Sequence, residues 1–222
     1  MARKTAANAE PRVPLNKERV LRAAITLADE GGIEALSMRR LAQELGVEAM
    51  SLYNHVANKD DILAGIVDLV VEEMEAPSKG ADWKAAMRQS AISAHEALLR
   101  HRWACSLMMS STGVRSARLR HTEAILATLR EAGFSPDLTH HAYHALDSHI
   151  VGFTLWQVSL PFEAEDVEQI GAAFLREVPT DEYPYFVEHV MQHLEPSDED
   201  QSAFEFGLDL ILDGLERLRD SA

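Results

Sequence analysis

Residues 36–63 read LSMRRLAQELGVEAMSLYNHVANKDDIL, and this stretch decides the fold of the N-terminal part of the chain. It holds two apolar groups at helical spacing with a glycine between them: Leu41, Ala42 and Leu45, then Gly46, then Leu52 and Val56. Gly46 can adopt the left-handed conformation at little cost, so it is expected just past a helix C-terminus. The pattern predicts two short helices, the second over residues 49–55, joined by a glycine-containing turn. That arrangement is a helix-turn-helix.

Polar residues at the ends of these helices indicate a surface that binds a polyanion. Ser37 is placed to cap the first helix, yet Arg39 and Arg40 occupy its first turn, where the helix dipole disfavours cations. A phosphate backbone or a guanine edge explains two arginines there better than helix stability does. Asn58 is placed to cap a third helix, and Lys59 beside it can reach a phosphate together with the free N–H groups of that helix.

Three runs of this stretch, in order and without gaps, closely resemble the DNA-binding domain of the TetR (tetracycline repressor) family. They are RRLAQELGVE, SLYNHV and NKDDIL. The resemblance implies a set of DNA-contacting residues: Ser37, Arg39, Ala49, Met50, Tyr53, Asn54, His55 and Lys59. Within this set it implies a base contact for Arg39 and phosphate contacts for Ser37, Tyr53, His55 and Lys59, with Ala49, Met50 and Tyr53 facing DNA.

Two observations limit what the resemblance implies about DNA. Ala49 and Met50 replace the Gln-Pro of the tetracycline-responsive members, so the operator sequence does not carry over. Ordinary helix packing is the alternative interpretation of Tyr53 and His55.

The charge of the chain is distributed unevenly. The 222 residues carry a net charge of −15, which by itself argues against nucleic acid as a partner. Residues 1–65 hold nine Lys or Arg and nine Asp or Glu, whereas residues 66–222 hold twelve and twenty-seven. The acidic excess therefore lies wholly outside the N-terminal region, and only that region is expected to face DNA.

Cysteine content and hydropathy restrict the class of protein. The single cysteine, Cys105, excludes an internal disulfide and a multi-cysteine zinc site. No apolar run approaches a membrane span, and the N-terminus lacks the apolar core of a signal peptide. We expect a cytoplasmic protein without a membrane partner or a cofactor.

Apolar periodicity without strand-like alternation predicts an all-α fold in three parts. Residues 1–15 are expected to form a flexible basic arm, and residues 16–64 a three-helix helix-turn-helix domain. Residues 66–222 are expected to form a helical domain for ligand binding and dimerisation. A helix over residues 59–75 links the two domains, and it is therefore the mechanical connection between them.

Two helices of the second domain carry more apolar surface than one core needs. They lie around His144–Trp156 and at Phe204–Leu218, the latter capped by Asp198. In the resembled family these two helices pair with their two-fold mates, which predicts a homodimer held by a four-helix bundle. On the last helix we expect one broad face to lie in that interface: Leu208, Ile211, Leu212 and Leu215.

Apolar, methionine and histidine side chains of the second domain are expected to line a pocket for a small, largely apolar effector. The candidates are Met87, His95, Trp103, Met108, Met109, His149, Phe153 and Trp156. The alternative is a filled core, which is the more common role of methionine and aromatic side chains at helical spacing. The tetracycline-responsive members hold magnesium with a histidine where Met108 stands here, so tetracycline with magnesium is not the expected effector.

Two further groups of side chains resemble a metal site and a thiol nucleophile, but neither is complete. His140 and His144 share a helix face, as a metal pair would, but no second HxxxH or carboxylate lies at matching spacing. Cys105 lies near His101, but its apolar neighbours favour an inert thiol over a nucleophile. The sequence therefore predicts a homodimeric, non-enzymatic repressor that binds operator DNA and is released by a small molecule. The alternative is a constitutive regulator, or a metal-responsive one that uses His140 and His144.

Overall fold

The computed structural model of the protein describes residues 14–110, 116–160, 167–192 and 202–221. Within these ranges the chain forms eleven α-helices and one 3-10 turn at Ile33–Ala35, with no strand. The helices are α1 Lys17–Gly31, α2 Met38–Leu45, α3 Ala49–Leu52, α4 Lys59–Glu73, α5 Trp83–Arg100, α6 Ala104–Ser110, α7 Ser116–Glu131, α8 Pro136–Val158, α9 Val167–Glu177, α10 Pro184–Gln192 and α11 Ala203–Asp220. The expected all-α fold is confirmed, while residues 1–13 of the expected arm lie outside the described residues.

The helices divide into two compact units. The first runs through Glu73 and takes in Arg100–Arg120, and the second comprises Met74–Leu99 and the chain from His121 onward. The first unit thus contains α6 in addition to the three-helix domain and α4. A sequence-based boundary near residue 65 does not show that α6 belongs to the first unit. None of the described helices is long and apolar enough to cross a membrane.

Side-chain caps and one glycine set the ends of the N-terminal helices. Asn16 accepts a hydrogen bond from the backbone of Arg19, and Ser37 accepts one from the backbone of Arg40. Gly46 has φ 65° and ψ 35°, the left-handed conformation expected at a helix C-cap. These positions agree with the caps and the turn that the sequence predicts.

The second helix of the helix-turn-helix is shorter than its sequence suggests. It covers Ala49–Leu52, whereas residues 49–55 were expected to be helical. The backbone N–H of His55 donates to the carbonyl of Leu52 at 2.9 Å, so the chain tightens into a turn after one helical turn. Tyr53, the C-cap of α3, therefore begins a turn that also contains Asn54 and His55.

Close packing holds α1 against α4 within the first unit. A Cβ at Gly65 would lie 2.7 Å from Cδ2 of Leu21, so a larger residue there would require the Leu21 side chain to move. The buried apolar side chains of the three-helix domain and α4 include Val20, Ala24, Leu36, Leu41, Leu52, Val56, Ile62 and Ile66. The helix-turn-helix is thus packed onto a rigid base.

The second unit is built around α5, α8 and α11. Ser135 caps α8, and Ser202 caps α11 in place of the expected Asp198, which lies outside the described residues. The core of this unit is a single cluster: Trp83, Met87, Ala91, Leu129, Phe134, Ala142, Leu146, Phe204, Leu208, Leu212 and Leu215. Helices α9 and α10 contact each other through Phe174 and Phe186.

The face of α11 that was expected at a dimer interface is instead part of this core, so that prediction was wrong. Leu208 and Leu212 are 0% exposed, and Leu215 is buried beside them. The core of this unit closes over one side of α11, and the opposite side remains exposed: Phe206, Leu210 and Leu218. Sequence periodicity identified the more strongly apolar side but not what covers it.

Ion pairs set the register of α5 against α11. Lys84 lies 2.6 Å from Asp213 and 2.7 Å from Glu216, and Arg88 contacts Glu205 and Asp209. Hydrogen bonds to Asp213 and Glu216 raise the pKa of Lys84 to about 12. The acidic flank of α11 is thus oriented towards two cations of α5, which leaves the exposed apolar side facing away from α5.

Candidate DNA-binding surface and effector site

The side chains predicted to contact DNA lie on the exposed side of the helix-turn-helix. Arg39 is exposed in the first turn of α2, and within the described residues its side chain makes no hydrogen bond or ion pair. Lys59 is exposed at the first residue of α4. Ser37 uses its hydroxyl to cap α2, and the rest of that residue is exposed. An unpaired arginine and a helix-start lysine on one domain are suited to phosphates and base edges.

The helix α3 and the turn after it, residues 49–55 (the recognition segment), expose apolar side chains that do not pack in the domain core. Met50 is 75% exposed and Tyr53 is 47% exposed, whereas Leu52 between them is 0% exposed. Asn54 is also exposed, and Ala49 and His55 are half-buried. A methionine and a tyrosine presented in this way can contact thymine methyl groups and the sugar-phosphate backbone. The alternative, that Tyr53 packs inside the domain, does not fit its exposure.

Asp61, which sequence reasoning did not select, holds the loop before α4 in place. Its carboxylate accepts hydrogen bonds from the Ala57 backbone at 3.2 Å and from Lys17 of α1 at 3.2 Å. Its own backbone N–H donates to Asn58 at 2.8 Å. These bonds orient the first turn of α4, and with it Lys59.

A buried histidine connects three segments of the first unit. Nδ1 of His101 lies 2.9 Å from Asp29 of α1, and Nε2 lies 3.3 Å from Glu73 at the end of α4. Trp103 donates from Nε1 to the same Asp29 carboxylate at 2.6 Å. Trp103, predicted to line an effector pocket, is thus engaged in a structural hydrogen bond.

Glu73 completes this network from the end of α4. Arg100 donates to its carboxylate at 3.0 Å. Burial alone would raise the pKa of Glu73, but the hydrogen bonds from Arg100 and His101 outweigh burial and lower it. The last turn of α4 is therefore held by Arg100, the last residue of α5, and by His101, which follows it.

The remaining pocket candidates of the first unit lie on α6. The carbonyl of Met108 accepts a hydrogen bond from Arg118 at 3.1 Å, and Met109 is largely exposed. Cys105 is fully buried, and burial raises the pKa of its thiol to about 11. The thiol is therefore protonated at neutral pH, as the sequence led us to expect.

Three of the other candidates contact one phenylalanine, Phe204, in the second unit. The rings of His95 and Phe204 stack at 3.9 Å with an interplanar angle of 10°, and the ring of His149 stacks on Phe204 at 4.9 Å. The ring of Phe153 lies edge-on to that of Phe204, with 5.6 Å between the centroids. On its other side Phe153 contacts the ring of Trp156, also at 5.6 Å between centroids. Met87 is buried in the same core. Sequence reasoning missed Phe204, because a phenylalanine in an apolar helix face carries no chemical signal.

Hydrogen bonds assign the proton positions of both imidazoles. The Thr154 hydroxyl donates to the Ile150 carbonyl at 2.6 Å, so its oxygen accepts from Nδ1 of His95 at 2.7 Å. Nε2 of His149 donates to the Phe204 carbonyl at 2.9 Å. Burial, and secondarily the charge of His149, lower the pKa of His95. A neutral His95 therefore presents Nε2 as an acceptor.

The histidines weighed as metal ligands are exposed on α8. The rings of His140 and His144 meet edge-on at 4.6 Å. Across the described residues, no group of three or more His, Cys, Asp or Glu side chains is placed to hold a metal ion. A third such side chain beside this pair, which a metal site would need, is not found among those residues.

Comparison with known proteins agrees with this architecture. Residues 20–66 match the sequence profile of the bacterial regulatory proteins of the tetR family, and residues 76–219 match that of the tetracyclin repressor-like C-terminal domain. The chain belongs to the tetR family. The resemblance seen in the helix-turn-helix is confirmed, and it extends over the C-terminal domain of this TetR-family transcriptional regulator.

Three relatives illustrate what members of the TetR family are known to bind. The chain is 32% identical over 221 residues to the transcriptional repressor DrrR1 of Streptomyces coeruleorubidus, covering 94% of this chain and 80% of that protein. ActR of Streptomyces coelicolor, in complex with (S)-DNPA, superposes with a TM-score of 0.74 at 28% identity over 92% of this chain and 98% of that one. BioQ bound to its double-stranded DNA operator superposes with a TM-score of 0.65 at 25% identity over 92% of this chain and 99% of that one.

Proposed function

We propose that this TetR-family regulator is a cytoplasmic homodimeric repressor that binds a palindromic operator and is released by a small, largely apolar effector. The observation that carries the proposal is the exposure of Arg39, Met50 and Tyr53 on a domain whose apolar core, including Leu41 and Leu52, is buried. DNA is the partner expected to cover these three side chains. One recognition segment of this size offers few base contacts, which is why two copies reading a palindrome are proposed.

The proposed dimer face combines α8 and α11. Phe206 and Leu210 are exposed four residues apart on one side of α11, and Leu218 is exposed near the C-terminal end of that helix. On α8 the exposed residues include three small side chains and a large aromatic one: Ala145, Ser148, Gly152 and Trp156. Bulky side chains next to a strip of small ones form a self-complementary surface, which suits a second copy of the same chain.

The proposed release mechanism is a shift between two arrangements of α4. The last turn of α4 is held through Glu73 by Arg100 and His101, and its first residue is Lys59. A rotation of this helix moves the helix-turn-helix packed on it. An effector that favours one arrangement would change the separation of the two recognition segments until both no longer fit successive major grooves.

The test begins with operator fragments selected from random DNA by the purified protein. Fluorescence anisotropy is then measured with and without candidate effectors, and calorimetry measures effector affinity with and without operator. Linkage requires operator to weaken effector binding by the same factor by which effector weakens operator binding. Failure to enrich any DNA sequence would refute the repressor function, and equal effector affinity in both states would refute induced release.

A further inference from the structure

One acidic side chain, Asp61, fixes the loop between the recognition segment and α4. Its backbone N–H donates to Oδ1 of Asn58 at 2.8 Å, and its carboxylate accepts from the backbone N–H of Ala57 at 3.2 Å. The two hydrogen bonds run in opposite directions, as in a capping box, although the carboxylate bonds the residue before the N-cap. Lys59 lies within the bonded stretch, so the backbone on both sides of it is held.

The same carboxylate ties this loop to another helix. Nζ of Lys17, the first residue of α1, lies 3.2 Å from both carboxylate oxygens of Asp61. The Asp61 side chain is 23% exposed, but that of Lys17 is 48% exposed, and an ion pair with so exposed a partner contributes little to stability. Its main consequence is geometric, because it sets the start of α4 against the start of α1.

The other charged residues at the start of α4 are not used in this way. Asp60 is exposed, and within the described residues its carboxylate makes no hydrogen bond or ion pair. The ammonium group of Lys59 is likewise exposed and unpaired in the part of the chain that the structure describes. The fold therefore uses the side chain of Asp61 and leaves that of Lys59 available for a phosphate.

We infer that Asp61 is a positioning residue for operator binding, which strengthens the contact between Lys59 and a DNA phosphate although it is itself negatively charged. The inference rests on the proposed function and adds a residue to the proposed DNA-binding surface. Electrostatics alone predicts the opposite, since a like charge about 10 Å from a phosphate, screened by salt, weakens binding about twofold. A fixed loop reduces the conformational freedom that Lys59 loses when it binds, and this raises the affinity.

The experiment compares two substitutions that remove the same charge from the same helical turn: Asp61→Ala and its matched control, Asp60→Ala. Fluorescence anisotropy measures the affinity of the full chain for an operator fragment selected from random DNA and for a duplex of scrambled sequence. Asp61→Ala should lower both affinities about tenfold, because a charge-assisted hydrogen bond to a phosphate is lost. Asp60→Ala should leave both affinities unchanged or raise them about twofold.

Two further measurements separate positioning from a general loss of stability. The slope of log affinity against log salt should fall by about one for Asp61→Ala, as it should for Lys59→Ala, because one phosphate contact is lost. In the Lys59→Ala background, Asp61→Ala should no longer lower the affinity, since no contact remains to be positioned. An undiminished loss in that background, or equal affinities of the Asp60→Ala and Asp61→Ala chains, overturns the inference.

A second matched pair, Asp61→Asn and Asp60→Asn, decides the question if circular dichroism shows that Asp61→Ala does not fold. The introduced amide can still accept the hydrogen bond from Ala57, but it forms no ion pair with Lys17. Asp61→Asn should therefore bind DNA about threefold less tightly than Asp60→Asn does. Equal affinities of these two variants contradict the inference.

Measurements on the wild-type chain distinguish the two possible failures. If the wild-type chain enriches no DNA sequence, the proposed function is refuted, and the inference with it. If the wild-type chain binds its operator but the two aspartate substitutions act alike, or Lys59→Ala has no effect, only the inference is overturned.

Discussion

Nδ1 of His101 lies 2.9 Å from the carboxylate of Asp29, joining the segment after α5 to the last turn of α1. The second ring nitrogen lies 3.3 Å from Glu73, so one side chain bridges two helices of the first unit. Because His101 is nearly buried and Asp29 also accepts from Trp103, the pair is better shielded from water than a surface ion pair. The position of α4 should therefore depend on this pair.

A double-mutant cycle on Asp29→Asn and His101→Gln should give a coupling energy of about 1–2 kcal/mol, since the bond is charged and partly buried. Urea unfolding measures it. The matched control is the exposed pair Glu18 and Arg22 within α1, whose coupling should be about 0.5 kcal/mol or less. Similar coupling in both pairs would show that the Asp29–His101 contact contributes no more than a solvated ion pair.

Arg39 and Lys59 should affect DNA binding in different ways. Arg39→Ala should cost about 1–3 kcal/mol and relax specificity at one base pair per half-site, because a bidentate base contact is lost. Lys59→Ala should weaken all sequences equally and reduce the salt dependence, because a phosphate contact is lost. Binding selections and salt titrations measure both effects. If both variants lose specificity to the same extent, the roles assigned to them are incorrect.

The two sides of α11 should respond differently to an introduced glutamate. Leu210→Glu should yield a folded monomer, because Leu210 is 56% exposed and the chain's own core does not use it. Leu212→Glu should unfold the second unit, since it places an unpaired charge in the core. Sedimentation and circular dichroism separate the two outcomes. A dimeric Leu210→Glu would place the interface elsewhere.

Acid should destabilise the protein through His95. Its folded pKa is lowered by burial and by His149, so the unfolded state binds more protons and stability falls as pH decreases below about 6.5. His95→Gln, which retains a donor for Thr154, should flatten this dependence in urea unfolding. The flattening should be partial, because burial also lowers the pKa of His121 although Asp147 opposes it. An exposed control, His140→Gln, should leave the slope unchanged.

The local features of the fold could be predicted from sequence because neighbouring residues determine them. Ser37 and Asn58 cap their helices through hydrogen bonds to backbone three residues away, and Gly46 has the left-handed conformation that its position requires. The helix-turn-helix follows from such short-range rules together with its apolar spacing. The early end of α3 at Leu52 was missed, because tightening of a terminal turn leaves no mark in composition.

The sequence by itself determined the all-α fold and the helix-turn-helix, and it predicts the residues that face DNA. Only the tertiary structure decided which side of α11 is buried, which partner His101 has, and that Phe204 lies between His95 and His149. The physical reason is distance along the chain. Periodicity reports that a helix has an apolar side, whereas the partner of that side is chosen by packing among residues 50 or more positions apart.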